Sequence, residues 1–126
     1  MTNRTAAELV AQARERVDNL SVDEVAAELE TGAALLVDLR EPAELTEHGR
    51  IVGSVWVPRG MLEFRADPSS PYHLDGLDPN RRVILHCASG GRSALAASVL
   101  QDMGYTRAAH LDGGLTAWKQ AGHPTV

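Results

Sequence analysis

The stretch that decides the fold spans residues 83–93 and reads VILHCASGGRS. Its first four residues form a short, mainly apolar run, which is typical of a parallel strand that is buried on both faces. The single cysteine of the chain, Cys87, follows this strand, and a helix is predicted to begin at Ser93 after two small residues and two glycines. Ligand sites in parallel sheets lie where the carboxyl end of a strand passes into a helix, so the sequence predicts a functional site at Cys87.

Short apolar runs alternate with amphipathic segments on both sides of this stretch. Strands are predicted at residues 34–37, 53–58, 83–86 and 108–111, and helices at residues 5–19, 21–32, 42–48, 93–103 and 115–121. Residues 60–80 contain three prolines and are predicted to form a loop with one helical turn at residues 61–65. The alternation predicts an α/β fold with a central, mostly parallel sheet of four to five strands and helices on both faces.

A narrow apolar stripe runs along the first predicted helix, between charged faces. It consists of Leu9, Ala13 and Val17. We therefore divide the chain into an N-terminal helical extension of residues 1–20 and one domain of residues 21–126. The stripe is expected to cover the domain, and docking of a second copy or of a partner is the alternative. Removal of residues 1–19 is expected to leave the chemistry of Cys87 intact.

The composition is that of an ordinary globular domain. The 126 residues, of which 44% are hydrophobic and 23% charged, fit one domain that can bury a core without covalent cross-links. A single cysteine excludes an intrachain disulfide and any zinc ribbon or iron–sulfur cluster that this chain holds alone. The five histidines lack the spacing of metal ligands, so we expect no metal and no other cofactor.

Charge and hydropathy narrow the range of partners and locations. The formal net charge of −5 argues against nucleic acid and anionic membranes as partners. No apolar run approaches the roughly 18 residues of a membrane span. Glu8 stands where the apolar core of a signal peptide would continue. The protein is therefore expected in the cytoplasm.

The loop after Cys87 has the composition of an anion-binding cradle. Glycines let successive backbone N–H groups point inward, and the first turn of the following helix adds free N–H groups and a partial positive charge. Arg92 adds a full charge and a planar set of donors. A thiol in this setting is expected to be acidic and nucleophilic. A lone cysteine at the end of a strand is otherwise a small buried hydrophobic residue, but that role leaves the following Gly-Gly-Arg-Ser sequence unexplained.

Three further charged side chains are candidates for supporting roles. Asp38 and Arg40 follow a predicted strand and could face the site. An ion pair or cap that ties the following helix to the sheet is the favoured interpretation of these two residues. Arg59 could add positive potential near the site, with a solvated charge as the default interpretation.

Four motifs resemble, in the same order, those of the rhodanese family. They are LVDLRE at residues 36–41, GRIVGSVWVP at residues 49–58, HCASGGRS at residues 86–93 and LDGGLTAW at residues 111–118. The second resembles the family signature G-H-I-P-G-A-x-x-I-P, the third the active-site loop Y-C-x-x-G-x-R-S, and the fourth the closing motif L-x-G-G-W-x-A-W. The departures lie in scaffold motifs, at Arg50, Val52 and Leu115, where the family has His, Pro and Trp. The match covers residues 21–122 and implies a rhodanese-like fold.

The resemblance implies a sulfurtransferase that needs no cofactor. Cys87 would attack the outer sulfur of a small anionic, thiosulfate-like donor, and the resulting persulfide would pass its sulfur to cyanide or to a thiol, including a protein thiol. Arg92 would bind the donor or lower the pKa of the thiol. The donor would be held by the loop, which consists of Ala88, Ser89, Gly90, Gly91, Arg92 and Ser93.

Two other classes of function stay open. A phosphatase or arsenate reductase of related fold would use the same thiolate and arginine. The active-site loops of those enzymes resemble Cys-x5-Arg, whereas four residues separate Cys87 from Arg92. The shorter loop is expected to form a narrower binding site for a tetrahedral phosphate. The other alternative is a non-catalytic rhodanese-like module, or a carrier of persulfide sulfur for a partner enzyme. The presence of Cys87 with its whole loop favours an active site over such a module.

Overall fold

Five strands alternate with six α-helices along residues 3–126, the part of the chain that the computed structural model describes. The strands are β1 (Asp18–Leu20), β2 (Ala34–Asp38), β3 (Val55–Trp56), β4 (Arg82–His86) and β5 (Ala109–Leu111). The helices are α1 (Ala6–Arg16), α2 (Val22–Glu30), α3 (Pro42–His48), α4 (Leu62–Ala66), α5 (Gly91–Asp102) and α6 (Gly114–Gln120). Met1 and Thr2, which begin the predicted extension, lie outside the described residues. Within these residues no helix has both the length and the apolar character needed to cross a membrane.

All five strands are parallel and form one sheet in the order β1-β5-β4-β2-β3. This confirms the predicted α/β fold with a parallel sheet. Strand β4 is central, and its pairing with β2 runs from Ala34 opposite Arg82 to Asp38 opposite His86. The pairing continues beyond the strands, because the N–H of Leu39 donates to the carbonyl of His86 at 3.0 Å. The carboxyl ends of β2 and β4 therefore lie side by side, where the cysteine loop begins.

Alternating side chains of the sheet enter two separate cores, one on each face. Val37 and Leu85 belong to the first core, which α4, α5 and the end of α1 cover. Leu36 and Ile84 belong to the second core, which α2 and α6 cover. The predicted placement of helices on both faces of the sheet is confirmed.

The prediction of one helix over residues 5–19 is wrong at its end. Helix α1 stops at Arg16, Val17 is extended, and the next three residues form β1, which pairs with β5 at the edge of the sheet. Leu20 stands at a helical spacing from Val17, so the apolar stripe of the sequence continues through the strand and conceals it. The division of the chain after residue 20 stays a prediction, although β1 lies in the same sheet as the other strands.

The segment between β3 and β4 folds over the first core. A 3-10 turn at Arg59–Met61 leads into α4, in agreement with the helical turn predicted there, and turns occupy the rest of the segment. Leu62 and Leu77 are fully buried. The N–H of Leu74 donates to the carbonyl of Arg65 at 2.9 Å, which folds the segment back on α4.

Tyr105 ties this segment to the residues that follow α5. Its hydroxyl donates to the carbonyl of Ala66 at 2.7 Å, and its side chain is fully buried. Burial, together with the negative charges of Asp78 and Asp67, raises the pKa of Tyr105 to about 12. The phenol therefore stays neutral and keeps donating to this carbonyl across the pH range in which the protein would work.

We predict that Tyr105→Phe lowers the free energy of unfolding by about 1 kcal/mol, because it leaves the buried carbonyl of Ala66 without its donor. Chemical denaturation followed by circular dichroism measures the change. Tyr72→Phe is the matched control, since the other tyrosine of the chain is 56% exposed. Equal losses in the two variants would contradict the prediction.

Candidate active site

The loop that follows β4 wraps around the sulfur of Cys87. The side chain of Cys87 is 1% exposed, and its Sγ accepts a hydrogen bond from the N–H of Gly90 at 3.2 Å. Gly90 precedes the first residue of α5 and has a φ of +109°, a conformation that side chains other than glycine rarely adopt. The glycine thus allows the chain to turn one N–H group onto the sulfur directly before a helix begins.

The start of α6 holds the other side of the loop through backbone hydrogen bonds. The N–H of Leu115 donates to the carbonyl of Cys87 at 2.9 Å, and the N–H of Thr116 donates to the carbonyl of Ala88 at 3.1 Å. A Cβ atom on Gly114 would lie 2.5 Å from the carbonyl oxygen of Cys87 and 2.6 Å from that of Ala88. The absence of a side chain at Gly114 is therefore needed for this close approach of α6 to the loop.

Ser93 lies on the inner side of the loop and is fully buried. Its Oγ is 3.6 Å from the Sγ of Cys87 and 2.9 Å from the Nδ1 of His110. The side chain of His110 is also fully buried, and its Nε2 is 2.8 Å from the Oδ1 of Asn19. His110 and Asn19 are absent from the site predicted from the sequence, because no sequence motif connects either residue with Cys87.

Arg92 faces a carboxylate that the sequence does not associate with it. Its Nη1 and Nη2 each donate to a carboxylate oxygen of Glu44 at 2.8 Å. These hydrogen bonds lower the pKa of Glu44 to about 2. The same bonds are the main cause that raises the pKa of Arg92, and the nearby charge of Cys87 contributes further. Arg92 is therefore a fixed cation close to the sulfur, with two of its five N–H groups engaged by Glu44 of α3.

The remaining loop residues lie nearer the surface. Ser89 is exposed, whereas Ala88 and Gly91 are half-buried. Ala88 lines a cavity of about 150 Å³ between α3 and α6. The other residues around this cavity include three that can carry positive charge, and they are Arg40, Glu44, His48, Leu115, Thr116 and Lys119. The cavity reaches the cysteine loop at Ala88.

Asp38 and Arg40 form a fully buried ion pair. The Nε and Nη2 of Arg40 donate to the two carboxylate oxygens at 3.0 and 2.8 Å, and Nη2 also donates to the carbonyl of Gly49 at 2.7 Å. Burial alone would raise the pKa of Asp38, but the hydrogen bonds and the charge of Arg40 act against it, and the pKa is lowered. This contact joins the end of β2 to the end of α3, which agrees with the favoured interpretation of the two residues.

His86 stands beside this ion pair at the end of β4. Its Nε2 is 3.6 Å from the carboxylate of Asp38 and has no hydrogen-bond partner among the described residues. Burial lowers the pKa of His86, although the carboxylate acts in the opposite direction. The imidazole is therefore neutral at pH 7 and belongs to the buried end of the sheet.

Arg59 lies apart from the cysteine loop. It forms an ion pair with Glu63, one helical turn further on, at 2.9 Å. Its side chain lines a groove against α1 and α5, with neighbours that include Arg16 and Leu95. Of the three supporting candidates, Arg40 lines the cavity next to Ala88 and Asp38 is paired with Arg40, whereas Arg59 faces a different surface.

Metal ligands are not gathered at this site. Among residues 3–126, no cluster of three or more His, Cys, Asp or Glu side chains is arranged to hold a metal ion. The expectation that the protein needs no metal or other cofactor stays a prediction.

Comparisons with known proteins agree with the motifs. The family model of the rhodanese-like domain matches residues 21–121. A sulfurtransferase of Allochromatium vinosum is 34% identical over 97 residues, which are 77% of this chain and 82% of that protein. These matches extend over most of the chain and include the cysteine loop.

Two solved structures resemble the whole chain. A Rhodopseudomonas palustris protein of unknown function, described as a possible tyrosine phosphatase, has a TM-score of 0.92 and 38% identity, with coverage of 100% of this chain and 97% of that one. A thiosulfate sulfurtransferase from Pseudomonas aeruginosa has a TM-score of 0.76 and 28% identity. The second match covers 96% of this chain but only 22% of that protein, so the likeness concerns one of its parts.

We predict that Gly114→Ala lowers the free energy of unfolding by about 1–3 kcal/mol more than Gly122→Ala does. Both glycines have a positive φ, +58° and +83°, so both variants incur about 1–2 kcal/mol for left-handed backbone. Only at Gly114 does a new Cβ meet carbonyl oxygens, since nothing lies within 4 Å at Gly122. Urea denaturation of the two variants measures the difference. Equal losses of unfolding free energy would show that the close approach at Gly114 does not contribute to stability.

We predict that Glu44→Gln lowers the free energy of unfolding by about 1 kcal/mol at pH 7, because it removes a half-buried, two-point ion pair. The folded-state pKa of about 2 lies below the ordinary value of 4.5. The stabilisation is therefore fully present above pH 4.5 and is lost as the pH falls towards 2. Denaturation curves at several pH values test this. The exposed Glu47 on the same helix provides the control Glu47→Gln, and a pH-independent difference between the variants would disprove the assignment.

Proposed function

The chain belongs to the rhodanese-like domain family, and from this premise we propose that it is a sulfurtransferase that acts through a persulfide on Cys87. It would move a sulfane sulfur from a small anionic, thiosulfate-like donor to a thiophilic acceptor. The observation that carries the proposal is the hydrogen bond of 3.2 Å from the N–H of Gly90 to the Sγ of Cys87 at the start of α5. A sulfur held by an N–H donor at a helix N-terminus is favoured in its negatively charged form, whether thiolate or persulfide.

The first step is a displacement at sulfur. The thiolate of Cys87 attacks the outer sulfur of thiosulfate and forms a new S–S bond. The S–S bond of thiosulfate breaks, and sulfite leaves with the bonding electron pair. The negative charge then resides on the terminal sulfur of the persulfide, so the total charge is conserved and no oxidant or reductant is needed.

The second step restores the thiolate. Cyanide or a thiolate attacks the terminal sulfur, the persulfide S–S bond breaks, and Cys87 keeps the electron pair. With cyanide the product is thiocyanate, and with a thiol it is a new persulfide. We propose the cytoplasm as its location, a reducing compartment in which thiols are available as acceptors and a single cysteine stays reduced.

Backbone N–H groups are the proposed anion binders. The first N–H groups of α5 have no acceptors within the helix, and Gly90 already directs one such group at the sulfur. The guanidinium of Arg92 is paired with the carboxylate of Glu44, so its contribution is a fixed local charge. The cavity next to Ala88, with Arg40 and Lys119 in its wall, supports entry of the donor from the side of α3 and α6.

A phosphatase is the weaker alternative. The similarity to the Rhodopseudomonas palustris protein described as a possible tyrosine phosphatase is the observation in its favour. Against it stand the four-residue spacing between Cys87 and Arg92 and the engagement of that arginine by Glu44. A phosphatase needs its cationic donors free to surround a tetrahedral phosphate.

We predict that the wild-type protein gains the mass of one sulfur atom after incubation with thiosulfate, and that cyanide then removes this mass with release of thiocyanate. Intact-protein mass spectrometry follows the first change and a colorimetric assay the second. Cys87→Ser is the matched control, because it keeps the size of the side chain and removes the only thiol. This variant should gain no mass.

The other outcomes separate the alternatives. A wild-type protein that stays unmodified with thiosulfate but accepts sulfur from a protein persulfide would be a sulfur carrier for a partner. A protein that takes sulfur from neither donor would contradict the proposal. Hydrolysis of p-nitrophenyl phosphate by wild type and not by Cys87→Ser would replace it with a phosphatase.

A further inference from the structure

His110 is a buried titratable side chain that the proposed sulfur transfer does not yet use. It lies on β5, between Asn19 of β1 and Leu85 of β4 in the register of the sheet. Its Nδ1 faces the Oγ of Ser93 at 2.9 Å, and its Nε2 faces the Oδ1 of Asn19 at 2.8 Å. Since the Oγ of Ser93 is 3.6 Å from the Sγ of Cys87, an unbroken line of polar atoms joins the sulfur to the edge of the sheet.

Asn19 determines which nitrogen of His110 carries the proton. Its Nδ2 donates to the carbonyls of Arg14 and Val17 at 2.8 and 3.1 Å, so the amide is oriented and its Oδ1 is the atom that faces His110. An amide oxygen can only accept, and therefore the Nε2 of His110 must donate. In the neutral imidazole the Nδ1 is then an acceptor.

Burial, and not the charged groups around it, favours the neutral imidazole of His110. Burial is the main cause that lowers the pKa of His110. Asp112, which follows β5, raises it, and Arg14 from α1 lowers it. These two groups also pair with each other at 3.6 Å, which reduces the effect of each. The other packed elements present uncharged Asn19 from β1 and Ser93 from α5, together with Cys87 after β4.

Ser93 transmits the direction of these hydrogen bonds to the sulfur. With Nδ1 as an acceptor, the hydroxyl of Ser93 donates to His110 rather than to the carbonyl of Gly90, which is further away at 3.2 Å. The oxygen of Ser93 then has a lone pair available, and the nearest donor is the thiol of Cys87. The thiol, the hydroxyl and the imidazole therefore point in one direction, away from the sulfur.

We propose that Ser93, His110 and Asn19 form a proton relay that receives the proton of the Cys87 thiol and so sets the pH at which this cysteine becomes nucleophilic. The S–H proton passes to the oxygen of Ser93 while the hydroxyl proton of Ser93 passes to Nδ1 of His110. The sulfur keeps the electron pair, and the imidazole becomes a cation that still donates through Nε2 to Asn19. Ser93 now donates to the thiolate and accepts from His110.

His110 and Asn19 are positioning residues in this scheme, because they act on the sulfur through Ser93. The inference deepens the proposed sulfur transfer and rests on it for its biological purpose. The relay itself concerns only the ionisation of the Cys87 thiol, which alkylation measures without any sulfur donor. The contact of Asn19 with His110 also argues against the expectation that residues 1–19 can be removed without effect on Cys87.

The test is the pH dependence of alkylation of Cys87 by iodoacetamide, followed by mass spectrometry. Cys87 is the only thiol, so each addition reports this site. For His110→Phe we expect the midpoint of the profile to rise by about 1 pH unit, with alkylation about tenfold slower at about pH 6.5. For Asn19→Asp we expect a midpoint below that of wild type, because the new carboxylate stabilises the imidazolium.

Asn19→Ala is the matched control for Asn19→Asp. Both variants lose the hydrogen bonds to Arg14 and Val17, but only the second adds a charge beside His110. Asn80→Asp adds the same charge in an exposed loop and should leave the midpoint unchanged. Asn19 is itself exposed, so its variants decide the question even where His110→Phe does not fold.

A purely structural role of these residues would lower the melting temperature and leave the alkylation profile in place. The relay is disproved if Asn19→Asp has the same midpoint as Asn19→Ala, or if folded His110→Phe matches wild type. A lower midpoint in Asn19→Asp together with a higher midpoint in His110→Phe supports it. Should these shifts occur while thiosulfate adds no sulfur, the relay stands and the proposed sulfur transfer falls.

Discussion

The close contact between the cysteine loop and the first turn of α6 is the constraint on which the site depends. The carbonyls of Cys87 and Ala88 both accept hydrogen bonds from N–H groups of this turn. The negative ends of these two peptide dipoles therefore point towards α6. The N–H of Gly90 can then face the sulfur. Because a Cβ on Gly114 would collide with both carbonyl oxygens, the polarity of the loop depends on the absence of one side chain at a distant position.

The charge of the site is more balanced than its sequence suggests. Arg92 and Arg40 each have a carboxylate partner, Glu44 and Asp38 respectively. Each guanidinium is therefore a fixed part of the scaffold and is not free to follow a substrate. The remaining sources of positive potential are the backbone N–H groups of the loop and the start of α5. They can stabilise the negative charge of the sulfur, which moves outward by one atom when the persulfide forms.

The sequence predicts the parts of this protein whose signals are local. The buried strand of residues 83–86, the glycines after Cys87 and the start of the helix that follows are all contained in eleven consecutive residues. The sequence does not predict strand β1, because its one buried side chain, Leu20, keeps the helical spacing. The sequence does not predict the pairing of Arg92 with Glu44, because the two residues are 48 positions apart and meet only after the sheet has formed. Tertiary pairing of this kind leaves no mark in a single sequence.

The strand order explains how a residue near the amino end reaches the chemistry. Strand β5 lies between β1 and β4, so at the carboxyl end of the sheet His110 stands between Asn19 and the strand that leads to Cys87. A helix that only covered the domain could place its side chains on the outer surface, but it could not insert one into this row. The three residues of β1 do so at the cost of a short edge strand, whose exposed Asn19 closes the row against solvent. The edge of the sheet is thereby a structural part of the environment of the sulfur.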